Sequence, residues 1–190
     1  MGLISKLFGK KKIKSARIVV LGSSGAGKTT FIKFIESGKA VEEDSLTTLG
    51  IDVRKKAVSF DNWSISAIDV GGQELYQKVF WNLGLSQADA VVYLIDGTLK
   101  PSSLDDRYEI SLFSFEYMLE LLPPIKPIII LINKQDLKEL KPLSISEAME
   151  LYPFRNLSDR SVNIIPTSAK YGDGVENVLI WLIDKMDDSK

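Results

Sequence analysis

The feature that most constrains this 190-residue chain is Gly22-Ser-Ser-Gly-Ala-Gly-Lys28-Thr29, which follows the apolar run Arg17–Leu21 and precedes a helix-patterned stretch, Thr29–Ser37. A glycine-rich turn between a buried strand and a helix lets successive backbone N–H groups point at phosphate oxygens, aided by the helix N-terminus. The reading places Gly22, Ser24, Gly25, Ala26, Gly27, Lys28, Thr29 and Thr30 around a polyphosphate. Lys28 supplies a cation toward the β- and γ-phosphates, and the Thr29 hydroxyl suits Mg²⁺. A plain glycine turn ahead of a helix is the competing explanation, so the remaining sequence has to decide.

Short apolar runs alternate with amphipathic stretches, the pattern of βα units around a parallel sheet covered on both faces. Arg17–Leu21, Ala90–Asp96 and Pro127–Ile132 read as buried central strands and Val162–Ile165 as a shorter one. Helices are expected at Thr29–Ser37, Leu104–Leu122, Ser144–Tyr152 and Gly174–Met186, with Pro123 and Pro124 ending the second. Ile51–Phe60, a turn at Asp61-Asn62 and Trp63–Ile68 read as a hairpin that adds an antiparallel edge strand. The expected fold class is α/β: a mostly parallel central sheet of about six strands, one antiparallel at the edge, with helices on both faces.

Asp69-Val-Gly-Gly-Gln73 closes the second hairpin strand. There a carboxylate at Asp69 can face Mg²⁺ through water, the Gly72 N–H can meet a γ-phosphate, and Gln73 can hold a water in line. Positioning and electrostatics supply most of the acceleration in such chemistry. The candidate catalytic residues are therefore Gln73, Lys28 and Gly72. Thr48-Leu-Gly-Ile51 lies in a segment with an acidic start, Glu42-Glu-Asp-Ser45. Thr48 can ligate the metal with its hydroxyl and meet the γ-phosphate with its N–H, while the adjacent Thr47 competes for that role. The metal set is Thr29, Thr48 and, through water, Asp69.

Asn133-Lys-Gln-Asp136 stands just past an apolar strand, at the sheet edge where open α/β folds bind ligands. The Asp136 carboxylate can accept from guanine N1–H and the exocyclic amine together, a pair adenine does not offer. Asn133 can tie loops together and the stem of Lys134 can cover the ring face. Thr167-Ser168-Ala169-Lys170 follows the last strand, placing an Ala169 N–H near guanine O6 and Lys170 near the ring, with Ser168 between them.

In this order and on these strand edges, the motifs resemble those of the Ras superfamily of small P-loop GTPases over about Arg17–Met186. Asp69–Gln73, Asn133–Asp136 and the N-terminal Met1-Gly2 with Leu7-Phe8 look most like the ADP-ribosylation-factor (Arf and Arf-like) family. Ile68, Ile51 and Leu83 stand where that family carries aromatic residues, as in a divergent member. The resemblance implies a P-loop GTPase domain (G domain), a switch between GTP- and GDP-bound forms with Mg²⁺, and effector proteins, an exchange factor and an activating protein as partners. No arginine stands just ahead of Thr48, so intrinsic hydrolysis on the order of 10⁻⁴ to 10⁻³ s⁻¹ is expected.

Cysteine and histidine are both absent, which removes disulfides, thiolate nucleophiles, imidazole bases and the zinc sites built on them. A net charge of −1 argues against a nucleic-acid surface. Residues 1–17 nevertheless carry Lys6, Lys10, Lys11, Lys12, Lys14 and Arg17 with no acid, and Leu3, Ile4, Leu7 and Phe8 share a helical face. We therefore expect residues 1–14 to form an amphipathic, basic extension on an anionic membrane surface and 15–190 to form the G domain. With no apolar run of about 18 residues, the expected location is cytoplasmic, with peripheral membrane association. Two other readings fit parts of the pattern. One is a non-cycling GTP-bound scaffold, like the β-subunit of the signal-recognition-particle receptor; the other, a small-metabolite P-loop kinase, leaves Asn133–Asp136 without a role.

Overall fold

A computed structural model describes residues 13–42, 51–53, 57–102, 104–123 and 125–188. In chain order the elements are β1 (Lys14–Leu21), α1 (Lys28–Ser37), β2 (Ile51–Val53), β3 (Val58–Phe60), β4 (Trp63–Val70), α2 (Glu74–Gln87), β5 (Ala90–Asp96), α3 (Arg107–Leu121), β6 (Ile128–Asn133), α4 (Ile145–Leu151), β7 (Val162–Pro166) and α5 (Val175–Asp188). The sheet runs β2-β4-β1-β5-β6-β7, with β3 also on β4. All ladders are parallel except those of β2 and β3, which run antiparallel to β4. The expected antiparallel edge is thus present, described at Ile51–Val53 and Val58–Phe60.

The central strands β5 and β6 are apolar up to their last residues because both faces are covered, and residue parity decides which face each side chain serves. Val19, Leu21, Val91, Tyr93, Ile95, Ile128, Ile130 and Ile132 pack with Trp81 and Leu85 of α2, Phe115 and Met118 of α3 and Ala148 of α4. Their neighbours Ile18, Val20, Val92, Leu94, Ile129 and Leu131 pack with Phe31, Ile32 and Ile35 of α1 and Val178, Leu179 and Leu182 of α5. Burying each large side chain contributes roughly 1.5–3 kcal/mol.

Helix ends follow local chemistry. Ser144 accepts from the Glu147 N–H at 3.3 Å while the Glu147 carboxylate accepts from the Ser144 N–H at 2.8 Å, a capping box that sets the start of α4. Lys126 donates to the Leu85 carbonyl at 2.6 Å and also to that of Ala88, and Arg160 donates to the carbonyls of Leu122 and Pro123 at 3.0 and 2.8 Å. Both cations satisfy orphan carbonyls at helix C-termini, α2 and α3 respectively.

α2 is the element that periodicity did not predict. Its Gly84 is there for proximity: a Cβ would lie 2.9 Å from Val19 Cγ2 and 3.2 Å from Val70 Cγ2, so the helix backbone rests directly on the sheet. β1 likewise begins at Lys14, three residues ahead of its apolar run, since Lys14, Ser15, Ala16 and Arg17 pair in register with Trp63–Ser66.

Candidate functional site

The parallel strands deliver the phosphate-loop, Asp69–Gln73, Asn133–Asp136 and Thr167–Lys170 motifs to one edge. Val20 pairs with Asp69 across β1 and β4, and Asp96 pairs with Asn133 across β5 and β6, so the loops after these strands meet above the sheet's carboxyl end.

At the phosphate end, Gly27 is the N-cap of α1 at φ 98, a left-handed conformation that favours glycine. The turn directs the Lys28 side chain back into the loop, where its ammonium is buried and donates to the carbonyls of Gly22 at 3.0 Å and Ser23 at 2.8 Å. Burial lowers its pKa from 10.5 to about 8, with the nearby Asp69 carboxylate acting in the opposite direction. Beside it the Thr29 hydroxyl donates to Asp69 Oδ2 at 2.7 Å. A hydroxyl and a carboxylate in contact are the hard oxygen donors that fit Mg²⁺, and the remaining positions fall to water and phosphate oxygens. Thr30 is half-buried and Ser24 lies exposed at the rim of the loop.

Asp69 leads into Gly71 and Gly72, both buried, and then into the exposed Gln73, which is the N-cap of α2. Gly72 packs against the phosphate loop so closely that a Cβ would lie 2.5 Å from Ser23 C and 2.6 Å from Gly22 O. Thr48 and residues 1–12 lie outside the described residues. Val41, just ahead of the Thr48 segment, donates its N–H to the Lys170 carbonyl at 2.9 Å, which fastens the start of that segment to the base-reading loop.

At the other end Asn133 joins three loops. Its Nδ2 donates to the Ala26 carbonyl at 2.8 Å, while its Oδ1 accepts from the Ala169 N–H at 2.8 Å and from Thr167 Oγ1 at 3.4 Å. The Ala169 amide, expected at guanine O6, is thus given to Asn133 in this arrangement. Asp136 Oδ1 accepts from the Ser168 hydroxyl at 2.7 Å. Lys134 holds a left-handed φ of 67, and its ammonium pairs with Asp96 Oδ2 at 2.6 Å. Thr30, Asn133, Lys134, Asp136, Ala169 and Lys170 line a cleft of about 200 Å³ between the two ends. The Lys170 ammonium sits 5.4 Å from the Tyr171 ring centroid.

Motif reading missed several residues. Asp96 anchors Lys134 and accepts from Thr98 N and Oγ1 at 3.0 and 2.7 Å. An acid ending an otherwise apolar strand at the ligand-binding edge is a signal that could have found it. Gln77, Trp81 and Ser114, buried behind the Gly71-Gly72 turn, carry no such signal.

A model of the ADP-ribosylation factor family matches residues 1–186. The chain is 31% identical over 192 residues to "ADP-ribosylation factor-like protein 1" of Drosophila melanogaster, covering 100% of this chain and 99% of that one. It is 33% identical over 195 residues to "ADP-ribosylation factor-like protein 3" of Chlamydomonas reinhardtii, covering 98% and 99%. Among solved structures it is similar to the Arl6 (BBS3) small GTPase of Trypanosoma brucei with bound GppNp, at TM-score 0.74 and 21% identity, covering 93% of this chain and 100% of that one. The last likeness supports the fold, a small-GTPase α/β domain, and on the family model and the relatives above 30% identity this chain belongs to the ADP-ribosylation factor family.

Proposed function

We propose that the protein is a molecular switch that binds GTP and GDP with Mg²⁺, hydrolyses GTP slowly by itself, and recruits effector proteins in its triphosphate form at a membrane surface. The observation that carries this reading is Asn133, which hydrogen-bonds the phosphate loop at Ala26 and the base-side loop at Ala169, so that Gly27 and Thr30 of the first and Asp136 and Ala169 of the second line one cleft.

Lys28 holds an ammonium where negative charge accumulates, and its burial makes that charge strong in effect. Thr29 would hold a bound Mg²⁺ through its hydroxyl, and Asp69 would act on it through water. Magnesium, when bound, offsets phosphate charge and favours the leaving group. The Gly72 N–H senses the third phosphate, Gln73 orients the attacking water, and Thr48 closes over both when that phosphate is present. Asp136 selects guanine. An exchange factor and an activating protein complete the cycle, residues 1–14 hold the G domain at anionic lipid in the cytoplasm, and nucleic acid is not a partner.

Single-turnover phosphate release with Mg²⁺ tests the reading. We expect a rate on the order of 10⁻⁴ to 10⁻³ s⁻¹ for the isolated protein, and at least about tenfold slower release for Gln73→Leu. A rate above about 10⁻² s⁻¹ contradicts the absence of a built-in arginine. An unchanged rate in Gln73→Leu points instead to the non-cycling scaffold. Liposome sedimentation with and without residues 1–12 examines the membrane role, and equal binding by both forms removes it.

A further inference from the structure

The two glycine carbonyls beside the γ-phosphate sensor are both held from behind by α2. Trp81 Nε1 donates to the Gly71 carbonyl at 3.2 Å, and Gln77 Nε2 donates to the Gly72 carbonyl at 2.8 Å. The two donors sit four residues apart and therefore share one helix face. That face looks back at the turn from which the helix starts.

A trans peptide points its C=O and the next residue's N–H in opposite directions, and no cis bond is present among the described residues. Holding the Gly71 carbonyl toward α2 therefore aims the Gly72 N–H away from it, and Gly72 is the residue that packs on Ser23 and Gly22 of the phosphate loop. Holding the Gly72 carbonyl fixes the Gln73 N–H in the same way. We propose that Trp81 and Gln77 are positioning residues which, without touching nucleotide, aim the Gly72 and Gln73 amides and so set how strongly the protein prefers a nucleoside triphosphate over a diphosphate. This rests on the switch reading above.

The anchors are rigid. Trp81 is fully buried, edge-on to Tyr93 at 6.1 Å and tilted on Tyr117 at 6.2 Å. Gln77, 1% exposed, gives its second N–H to Ser114 Oγ at 2.7 Å, and Ser114 donates in turn to the Ile110 carbonyl at 2.7 Å. The chain of bonds runs from the α3 backbone through Ser114 and Gln77 to Gly72. Both Nε2 hydrogens are committed, while the buried Oε1 has no hydrogen-bond partner among the described residues. Leaving a buried acceptor unmade is costly, and reversing the amide would set Oε1 against the Gly72 carbonyl. The packing thus favours the hold on Gly72 over satisfaction of the glutamine's own oxygen, as expected of a device that serves the turn.

The test uses the full chain and two near-isosteric variants, Trp81→Phe, which keeps an aromatic ring without the N–H, and Gln77→Met, which keeps length without the donor. Dissociation constants for GTPγS and GDP are measured with Mg²⁺, alongside thermal melts. For each variant the GTPγS constant should rise about tenfold against wild type, the loss of one hydrogen bond to a charged group, while the GDP constant stays within about twofold. A parallel loss for both nucleotides, or an unchanged ratio, overturns the proposal, since a merely structural role lowers the melting temperature without separating the two ligands. Should either variant fail to melt cooperatively, Ser114→Ala, which cuts the far end of the chain, is read by the same ratio. Wild-type protein that binds neither nucleotide would instead remove the switch reading, and this proposal with it.

Discussion

Lys28 is held at a cost to the fold that bound nucleotide would relieve on the proposed reading, and pH exposes that cost. Its folded-state pKa of about 8 lies below the value of 10.5 for the free side chain, chiefly because burial disfavours the ammonium. Between these values the unfolded chain binds about one more proton than the folded one, so stability rises with pH; the penalty is complete below pH 8 and gone above 10.5. A fall from 10.5 to about 8 corresponds to about 3 kcal/mol. Lys28→Met removes the charge and keeps the stem. It also loses two hydrogen bonds to the Gly22 and Ser23 carbonyls, about 1 kcal/mol each, an offset that an amine in either protonation state would supply and so does not vary with pH. Tyr93 and Tyr152 have raised pKa values through burial, but they are common to both proteins and cancel. The stability of Lys28→Met minus that of wild type should therefore fall by about 2 kcal/mol between about pH 7.5 and pH 9.5. Urea melts of both nucleotide-free proteins in EDTA, stepped through that range, give the difference directly. With saturating GDP the phosphates supply the missing counter-charge and the wild-type slope should disappear from this window. A difference that stays level with pH in nucleotide-free protein would refute the assignment of Lys28 as a desolvated ammonium.

Asp136→Asn replaces the proposed acceptor for two guanine donors with a group that can accept from only one side, and should weaken GDP binding at least about 100-fold, measured by displacement of a fluorescent analogue. Gly72→Ala forces a Cβ onto Ser23 C and Gly22 O, 2.5 and 2.6 Å away, so the turn must lift from the phosphate loop; GTPγS affinity should fall at least about tenfold, with a smaller effect on GDP. Asp96→Asn breaks the buried end of the pair with Lys134 and should raise the GDP dissociation rate by about threefold to thirtyfold in stopped-flow release, while thermal stability changes less in the GDP complex than without it.

The central strands were legible because a strand covered on both faces has no polar alternation to blur, and Ala90–Asp96 was read to the residue. The hairpin edge was legible from the turn at Asp61-Asn62 between two runs that pair antiparallel. The turn ahead of α1 was legible because its geometry is local: a tight loop into a helix needs glycines in sequence, and Gly22, Gly25 and Gly27 all hold positive φ. Asn133 was read as a tie between loops, but which groups are joined was not legible, since Asn133 to Ala26, Ser168 to Asp136 and Lys134 to Asp96 span 107, 32 and 38 positions. No local spacing encodes contacts of that range.

α2 escaped periodicity for a reason that belongs to the site. A helix serving only the core would bury apolar residues at a 3.6-residue period and expose polar ones. Here Gln77 is buried, Val79 and Leu83 are exposed, and a glycine sits in the interior at Gly84. Each departure has its own cause. Gly84 lets the backbone rest on Val19 and Val70, which brings the helix start close enough for side chains to reach the Gly71-Gly72 turn. Gln77 and Trp81 occupy the positions that reach it, so a polar amide displaces an apolar residue from the core-facing stripe. The irregular pattern is what a helix looks like when one face must hold a loop as well as a core. Gln77→Leu, by restoring that stripe, should therefore raise thermal stability while lowering the preference for GTPγS over GDP. Differential scanning fluorimetry beside nucleotide titration separates the two effects, and a variant that gains stability and keeps its preference would show that the buried amide does not set that preference.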